Sequence, residues 1–162
     1  MKFKLFIFII FSIYCATSYA QEKESNIIVL VDGNIVKYTY GKIIYEESSG
    51  VKDTINVTIV PGRVKMNSSD YDKLLLKNIE TIYLKFSYSE TCNGNTEYYD
   101  YEIEDFKLNW LDHDYIVLNV YNTNKKAYKR IYNPLPGKEY TYEYEYPGSG
   151  MRRAKKILPK CK

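Results

Sequence analysis

The only histidine of the chain lies between two carboxylates, in the segment Asp112-His113-Asp114. A histidine oriented by a carboxylate can act as a general base, and imidazole with carboxylate oxygens can bind a metal. Consecutive residues of a turn point in different directions, however, and no Glu-x-x-His or His-x-His spacing supplies further ligands. The pattern therefore predicts a hairpin turn without metal or cofactor, and hydrolysis through His113 is the minor alternative.

Four tyrosines alternate with polar residues between Glu139 and Tyr146. At the period of a β-strand, one face carries the rings and the other carries glutamate and threonine. Tyrosine rings stack on sugars and fill protein interfaces, so the ring face is a candidate binding surface. The other interpretation places the rings in the core with their hydroxyls at its rim. The four residues, named here the tyrosine ladder, are Tyr140, Tyr142, Tyr144 and Tyr146.

Residues 1–20 have the three parts of a secretory signal peptide. Lys2 and Lys4 give a basic start, Leu5 to Ile13 an apolar core, and Ser18-Tyr-Ala20 a cleavage site. This core is shorter than the roughly 20 residues of a transmembrane helix, and no later stretch approaches that length. We therefore expect cleavage before Gln21 and export to the periplasm or the extracellular space, with no transmembrane segment in the mature form.

Cys92 and Cys161 are the two cysteines that remain after this cleavage. An even number in an oxidising compartment predicts one disulfide. Closing so long a loop would stabilise the fold by about 4 kcal/mol in the chain-entropy description. Two free thiols, or a bridge between chains, is the alternative.

The C-terminal residues 151–162 form a basic tail in which every charged side chain is a cation. Arg152, Arg153, Lys155 and Lys156 could contact anionic polymers or lipid head groups, although a solvated terminal segment is the simpler interpretation. Nucleic acid is not an expected partner, because the remainder of the mature chain is mildly acidic.

The elements that position these residues are arranged around the apolar run Tyr115 to Tyr121. Ile116, Leu118 and Val120 share one face at period two, and the opposite face is also mostly apolar. A strand with two covered faces belongs in the middle of a sheet.

Short strands recur along the rest of residues 21–150, which we expect to form one domain. One short helix is expected near residues 69–77, because Ser68 or Ser69 can cap it. The expected strands lie within residues 26–31, 35–46, 54–60, 64–66, 81–89, 98–104, 115–121, 127–132 and 139–146, and the period continues through Phe106, Leu108 and Trp110. About eight short strands joined by Gly, Pro and Asn turns predict an all-β, antiparallel sandwich of immunoglobulin-like or transthyretin-like kind, with a small β-barrel as the alternative.

Three functions follow in order of preference. The first is an exported, non-catalytic binding or structural module that recognises a protein or an envelope glycan through an aromatic sheet face. The second is an enzyme inhibitor or immunity-type protein that inserts a hairpin loop, either Asp112 to Asp114 or Cys92 to Asn95. The third is a hydrolase that uses His113. The sequence does not indicate the oligomeric state.

Overall fold

A computed structural model of the protein describes residues 21–149, which form two β-sheets around one hydrophobic core. The strands are β1 (Glu22–Ser25), β2 (Ile27–Val31), β3 (Asn34–Ile35), β4 (Thr39–Glu47), β5 (Lys52–Val60), β6 (Arg63–Asn67), β7 (Ile79–Cys92), β8 (Asn95–Ile103), β9 (Ile116–Asn122) and β10 (Tyr140–Glu145). The helical segments are α1 (Ser68–Leu76) and a 3-10 helix (Leu108–Asp112).

The large sheet has the strand order β1-β6-β5-β4-β7-β8, and the small sheet has the order β10-β9-β2-β3. Both sheets are open, with edge strands β1, β8, β10 and β3, so the strands do not close into a barrel. Buried side chains of both sheets belong to one core cluster. The predicted all-β sandwich is confirmed.

Strand β9 lies between β10 and β2, as the apolar run predicts. Ile116, Leu118 and Val120 are fully buried, and the alternate residues of the strand are half-buried. The pairing of β9 with β2 is parallel, whereas all the other described pairs are antiparallel. A parallel pair needs a long crossover, and here the crossover includes five of the six strands of the large sheet, β4 to β8.

Local sequence explains the turns and the helix. Asp32-Gly33 and Asn93-Gly94 each have two positive φ values, which the two-residue turns of tight hairpins require. Helix α1 begins after Asn67, whose side-chain oxygen accepts a hydrogen bond from the Ser69 amide at 3.1 Å. The predicted short helix is therefore confirmed, capped one residue earlier than expected.

Two strand predictions are wrong. Residues 127–132 form consecutive turns, in which the carbonyls of Lys125 and Tyr128 each accept two backbone hydrogen bonds from residues three and four positions later. The pattern through Phe106, Leu108 and Trp110 leads into the 3-10 helix. The spacing of Phe106 and Trp110 also fits one face of a helix, and their rings pack edge to face at 5.4 Å.

Several predicted features lie outside the described residues. These are the signal peptide, the basic tail with Arg152, Arg153, Lys155 and Lys156, and Cys161. Cys92 ends β7, and its pairing with Cys161 stays a prediction. Between residues 21 and 149, no helix is long and apolar enough to cross a membrane.

Candidate functional site

The tyrosine ladder faces the core at its N-terminal end. In the β10–β9 register, Tyr142 lies opposite Val120, and Tyr144 lies opposite Leu118. Val120 and Leu118 are fully buried. Tyr140 is only 6% exposed. Most of this ring is therefore covered by the protein, although Tyr140 also lines the first of the two grooves described below. A binding role for Tyr140 stays a prediction.

The ladder reaches the surface only at its C-terminal end. The rings of Tyr144 and Trp110 are 4.5 Å apart, and Tyr146, which is 41% exposed, stacks between Tyr144 at 6.3 Å and His113 at 6.1 Å. The ladder is thus a graded contact from core to rim, and it does not present four rings as one open patch.

The Asp112-His113-Asp114 segment ends the 3-10 helix and is not the hairpin turn that the sequence predicts, because β8 and β9 belong to different sheets. It does not assemble a catalytic pair. The Asp112 carboxylate accepts a hydrogen bond from the Tyr71 hydroxyl and lies 4.0 Å from the Lys23 ammonium group. No hydrogen bond joins His113 to either neighbouring carboxylate within residues 21–149, and its ring stacks on Tyr146 instead. A general base needs an orienting partner, which this arrangement does not provide.

Three other tyrosines are much more exposed than the ladder. Tyr38 is 58%, Tyr40 70% and Tyr98 79% exposed, and the rings of Tyr38 and Tyr40 meet edge to face at 5.3 Å. We name these three residues the tyrosine face. Burying such rings against a partner is strongly favourable, because each carries a large apolar area and a polar tip.

The alternation of the large sheet places Tyr40 and Tyr98 on its outer surface. Ile43 and Tyr45 of β4 point to the core, and therefore Tyr40 and Lys42 point outwards. Tyr99 and Tyr101 of β8 pack towards the core, and therefore Tyr98 points outwards. Tyr38 lies just before β4, beside Tyr40.

Two grooves adjoin the tyrosine face and meet at Ser87. The first, about 730 Å³, is lined by Tyr40, Lys42, Lys85 and Asp100 among others. The second, about 610 Å³, is lined by Tyr38, Tyr98 and Ile35 among others. Both grooves are lined by Ser87, and together their linings include rings and polar groups of β4, β7 and β8.

The first groove holds both signs of charge. Lys85 pairs with Glu102 at 2.8 Å, and Lys138 lies 3.6 Å from the same carboxylate. The hydrogen bond from Lys85, against the opposing effect of burial, lowers the pKa of Glu102, which is therefore ionised at neutral pH. Lys42 lies directly opposite Lys85 and makes no ion pair within the described part of the chain. Such a groove suits a polar ligand with hydrogen-bonding groups of both kinds.

Gly41 of β4 allows its two neighbouring strands, β5 and β7, to approach closely beside the first groove. A Cβ atom at this position would lie 2.8 Å from the Lys85 carbonyl oxygen and 3.2 Å from a methyl carbon of Val57. The register through Gly41 is regular, and the irregularity of β4 lies between Glu46 and Glu47 instead. Gly41 therefore marks a close approach of strands and not a bulge.

A buried ion cluster joins the β7–β8 hairpin to the small sheet. Asp32, only 1% exposed, pairs with Lys125 at 2.7 Å, and Lys125 also contacts Glu90. Burial raises the pKa of Asp32, opposed by its bonds from Lys125 and the Asn122 amide. Burial disfavours the charged Lys125, but the bonds to Asp32 and Glu90 outweigh it and raise its pKa. The cluster anchors the hairpin, because each charge is held between different elements.

The tyrosine face was missed because tyrosine occurs throughout the chain, 19 times in all. One signal was present. Tyr40 and Lys42 are at even positions of the strand and the apolar Ile43 and Tyr45 at odd ones, so the two pairs face opposite sides of the sheet. Tyr38 precedes the strand and has no such signal.

Within residues 21–149 no three His, Cys, Asp or Glu side chains are grouped to hold a metal. Comparison with protein-family models, curated proteins and solved structures gives no match.

Proposed function

We propose that this chain is an exported, non-catalytic binding module that recognises a protein or an envelope glycan through the tyrosine face and its two grooves. The binding surface is then the outer face of β4, β7 and β8, in place of the tyrosine ladder that the sequence indicated.

The observation that carries this proposal is the exposure of Tyr38, Tyr40 and Tyr98 beside the grooves that meet at Ser87. Exposed aromatic residues that adjoin a groove are typical of recognition sites. Tyrosine supplies contact area at a low cost in side-chain entropy, because only two torsions must be fixed.

The polar part of the groove lining supports recognition of a hydrogen-bonding ligand. The Ser87 hydroxyl donates to Asp100 at 2.6 Å, and Thr39 donates to the Ser87 carbonyl at 2.6 Å. These bonds hold the side chains between the rings in fixed positions. A preorganised polar lining lowers the entropy cost of binding a sugar or a peptide.

The proposal is tested by screening the purified mature protein on arrays of defined glycans and peptides. The triple variant Tyr38→Ala/Tyr40→Ala/Tyr98→Ala should lose at least about tenfold in affinity for every selected ligand, since each buried ring contributes on the order of 1 kcal/mol or more. Tyr115→Ala, at another exposed tyrosine, is the matched control and should bind normally. Equal binding by the triple variant and the wild type would exclude this surface.

A second candidate is insertion of the β7–β8 hairpin into a partner, as an inhibitor would do. Strand β4 pairs with β7 no further than Phe86, so residues 88–99 continue as a two-stranded arm with an exposed tip at Asn93-Gly94. In that case Asn93→Ala/Asn95→Ala would abolish binding, and the triple tyrosine variant would keep most of it.

A further inference from the structure

The register of the β7–β8 hairpin determines which backbone groups face outwards from β8. Cys92 and Asn95 flank a two-residue turn, and such flanking residues exchange both of their backbone hydrogen bonds. Alternation along the ladder then makes 90/97, 88/99 and 86/101 hydrogen-bonded pairs. The amides and carbonyls of Thr96, Tyr98, Asp100 and Glu102 therefore point away from β7.

Two contacts agree with this assignment. The Glu102 amide and carbonyl both bond to the Tyr140 hydroxyl, which lies beyond the edge of β8. On the other side of β7, the Ser87 carbonyl accepts a hydrogen bond from Thr39, which precedes Tyr40 of β4. Ser87 lies opposite Asp100. Because the Ser87 carbonyl points to β4, it does not bond to β8, and Ser87 and Asp100 form a pair without mutual backbone hydrogen bonds.

In the described part of the chain, the edge of β8 is therefore capped at one end and has no backbone partner at the other. Tyr140 caps it at Glu102, whereas no hydrogen bond to the amides or carbonyls of Thr96, Tyr98 and Asp100 is present within residues 21–149. Natural edge strands usually block such a row with proline, a bulge or lysine. Here the row is regular, and β8 contains no proline and no lysine.

The charge of the edge indicates which strand it accepts. Asp100 lies on the outer face beside Tyr98, and it makes no ion pair within the described residues. Glu97 on the opposite face accepts a hydrogen bond from the Tyr99 hydroxyl and makes no ion pair between residues 21 and 149. Pairing with β8 of a second copy would bring these acidic strands together, which is unfavourable.

We propose that β8 accepts an extended peptide of a protein partner as an added strand, with basic residues at alternate positions of that peptide. The backbone of the peptide would bond to Thr96, Tyr98 and Asp100, and its basic side chains would lie against Asp100 and over the Tyr98 ring. This inference rests on the proposed function, because Tyr98 belongs to both surfaces, and it selects a protein over a glycan as the ligand.

The probe is a capped heptapeptide of alternating lysine and valine, added to the full mature chain and followed by NMR of the backbone amides. We expect shifts and slower hydrogen exchange at Thr96, Tyr98 and Asp100. The same peptide N-methylated at alternate residues should lose this effect, and a glutamate–valine peptide should not bind. An absence of change at these amides, or equal binding by the N-methylated peptide, would overturn the inference.

Thr96→Pro removes one outward amide, whereas Thr96→Ala keeps it and is the matched control. Loss of peptide binding with Thr96→Pro alone supports strand addition, and the N-methylated peptide keeps the test decisive if Thr96→Pro does not fold. A dimer in the absence of peptide that disappears with Thr96→Pro would assign the edge to a second copy and overturn the inference. Ligand binding that depends on Tyr38 and Tyr40 but survives in Thr96→Pro would retain the proposed function and overturn strand addition.

Discussion

The hydroxyl of Tyr140 accepts a hydrogen bond from the Glu102 amide at 2.7 Å and donates one to the Glu102 carbonyl at 3.0 Å. One side chain of the small sheet thereby replaces a neighbouring strand at the edge of the large sheet. Tyr142 continues the relationship, since its hydroxyl accepts a bond from the Asp105 amide at 3.1 Å. The ladder thus joins the two sheets along one side of the sandwich.

Tyr140→Phe should lower the free energy of unfolding by about 1 to 2 kcal/mol, because it leaves two backbone groups without their partner. Tyr142→Phe removes a single hydrogen bond, which is more exposed to water, and should lower the free energy of unfolding by less. Chemical denaturation of both variants measures the difference. An equal, negligible loss for the two would show that water replaces the Tyr140 hydroxyl.

Lys125→Met should be strongly destabilising, by roughly 3 kcal/mol or more, since it leaves the Asp32 carboxylate buried without its cation. The double variant Asp32→Asn/Lys125→Met should recover much of this loss. Asparagine can still accept the bond from the Asn122 amide and tolerates the positive φ of Asp32. Denaturation of the single and double variants completes the cycle, and additive losses would contradict a coupled pair.

The free energy of unfolding should fall at alkaline pH, because several tyrosine hydroxyls have a higher pKa in the folded state than in the unfolded chain. Burial raises the pKa of Tyr128 to about 12, and burial followed by a hydrogen bond to a carboxylate raises the pKa of Tyr71 and Tyr99 to about 12. The unfolded chain loses these protons near pH 10, so their contribution is complete below about pH 10 and is lost as the pH rises towards 12.

This pH dependence is measured by thermal unfolding between about pH 8 and 12 together with tyrosinate absorbance. Tyr71→Phe, which removes one raised pKa, should make the decline less steep. If all tyrosinate absorbance appeared in one step near pH 10 without loss of structure, the burial of these hydroxyls would be refuted.

Local rules were sufficient for much of the fold. The turns at Asp32-Gly33 and Asn93-Gly94 need positive φ, the helix start needs a capping side chain, and the buried face of β9 needs period-two apolar residues. Each of these is a property of neighbouring residues. The parallel pairing of β2 with β9 is not, because it depends on how the intervening strands β4 to β8 pack.

The errors have the same origin. The sequence pattern of residues 127–132 predicts a strand. In the structure Lys125 pairs with the buried carboxylate of Asp32, far away in sequence, and the chain continues in turns from Lys125. For the site, period two separates rings from glutamates in the ladder but does not say which face is covered. The burial of Tyr140 is decided by Glu102 and Tyr101 of the other sheet.

The most direct test of the binding surface is tyrosine-selective labelling of the folded mature protein with and without a ligand selected on the arrays. Tyr38, Tyr40 and Tyr98 should label readily in the free protein and become protected in the complex. Tyr115 and Tyr146, which are also exposed, should label equally in both states. Protection of Tyr146 with continued labelling of Tyr40 and Tyr98 would return the binding surface to the ladder and contradict this account.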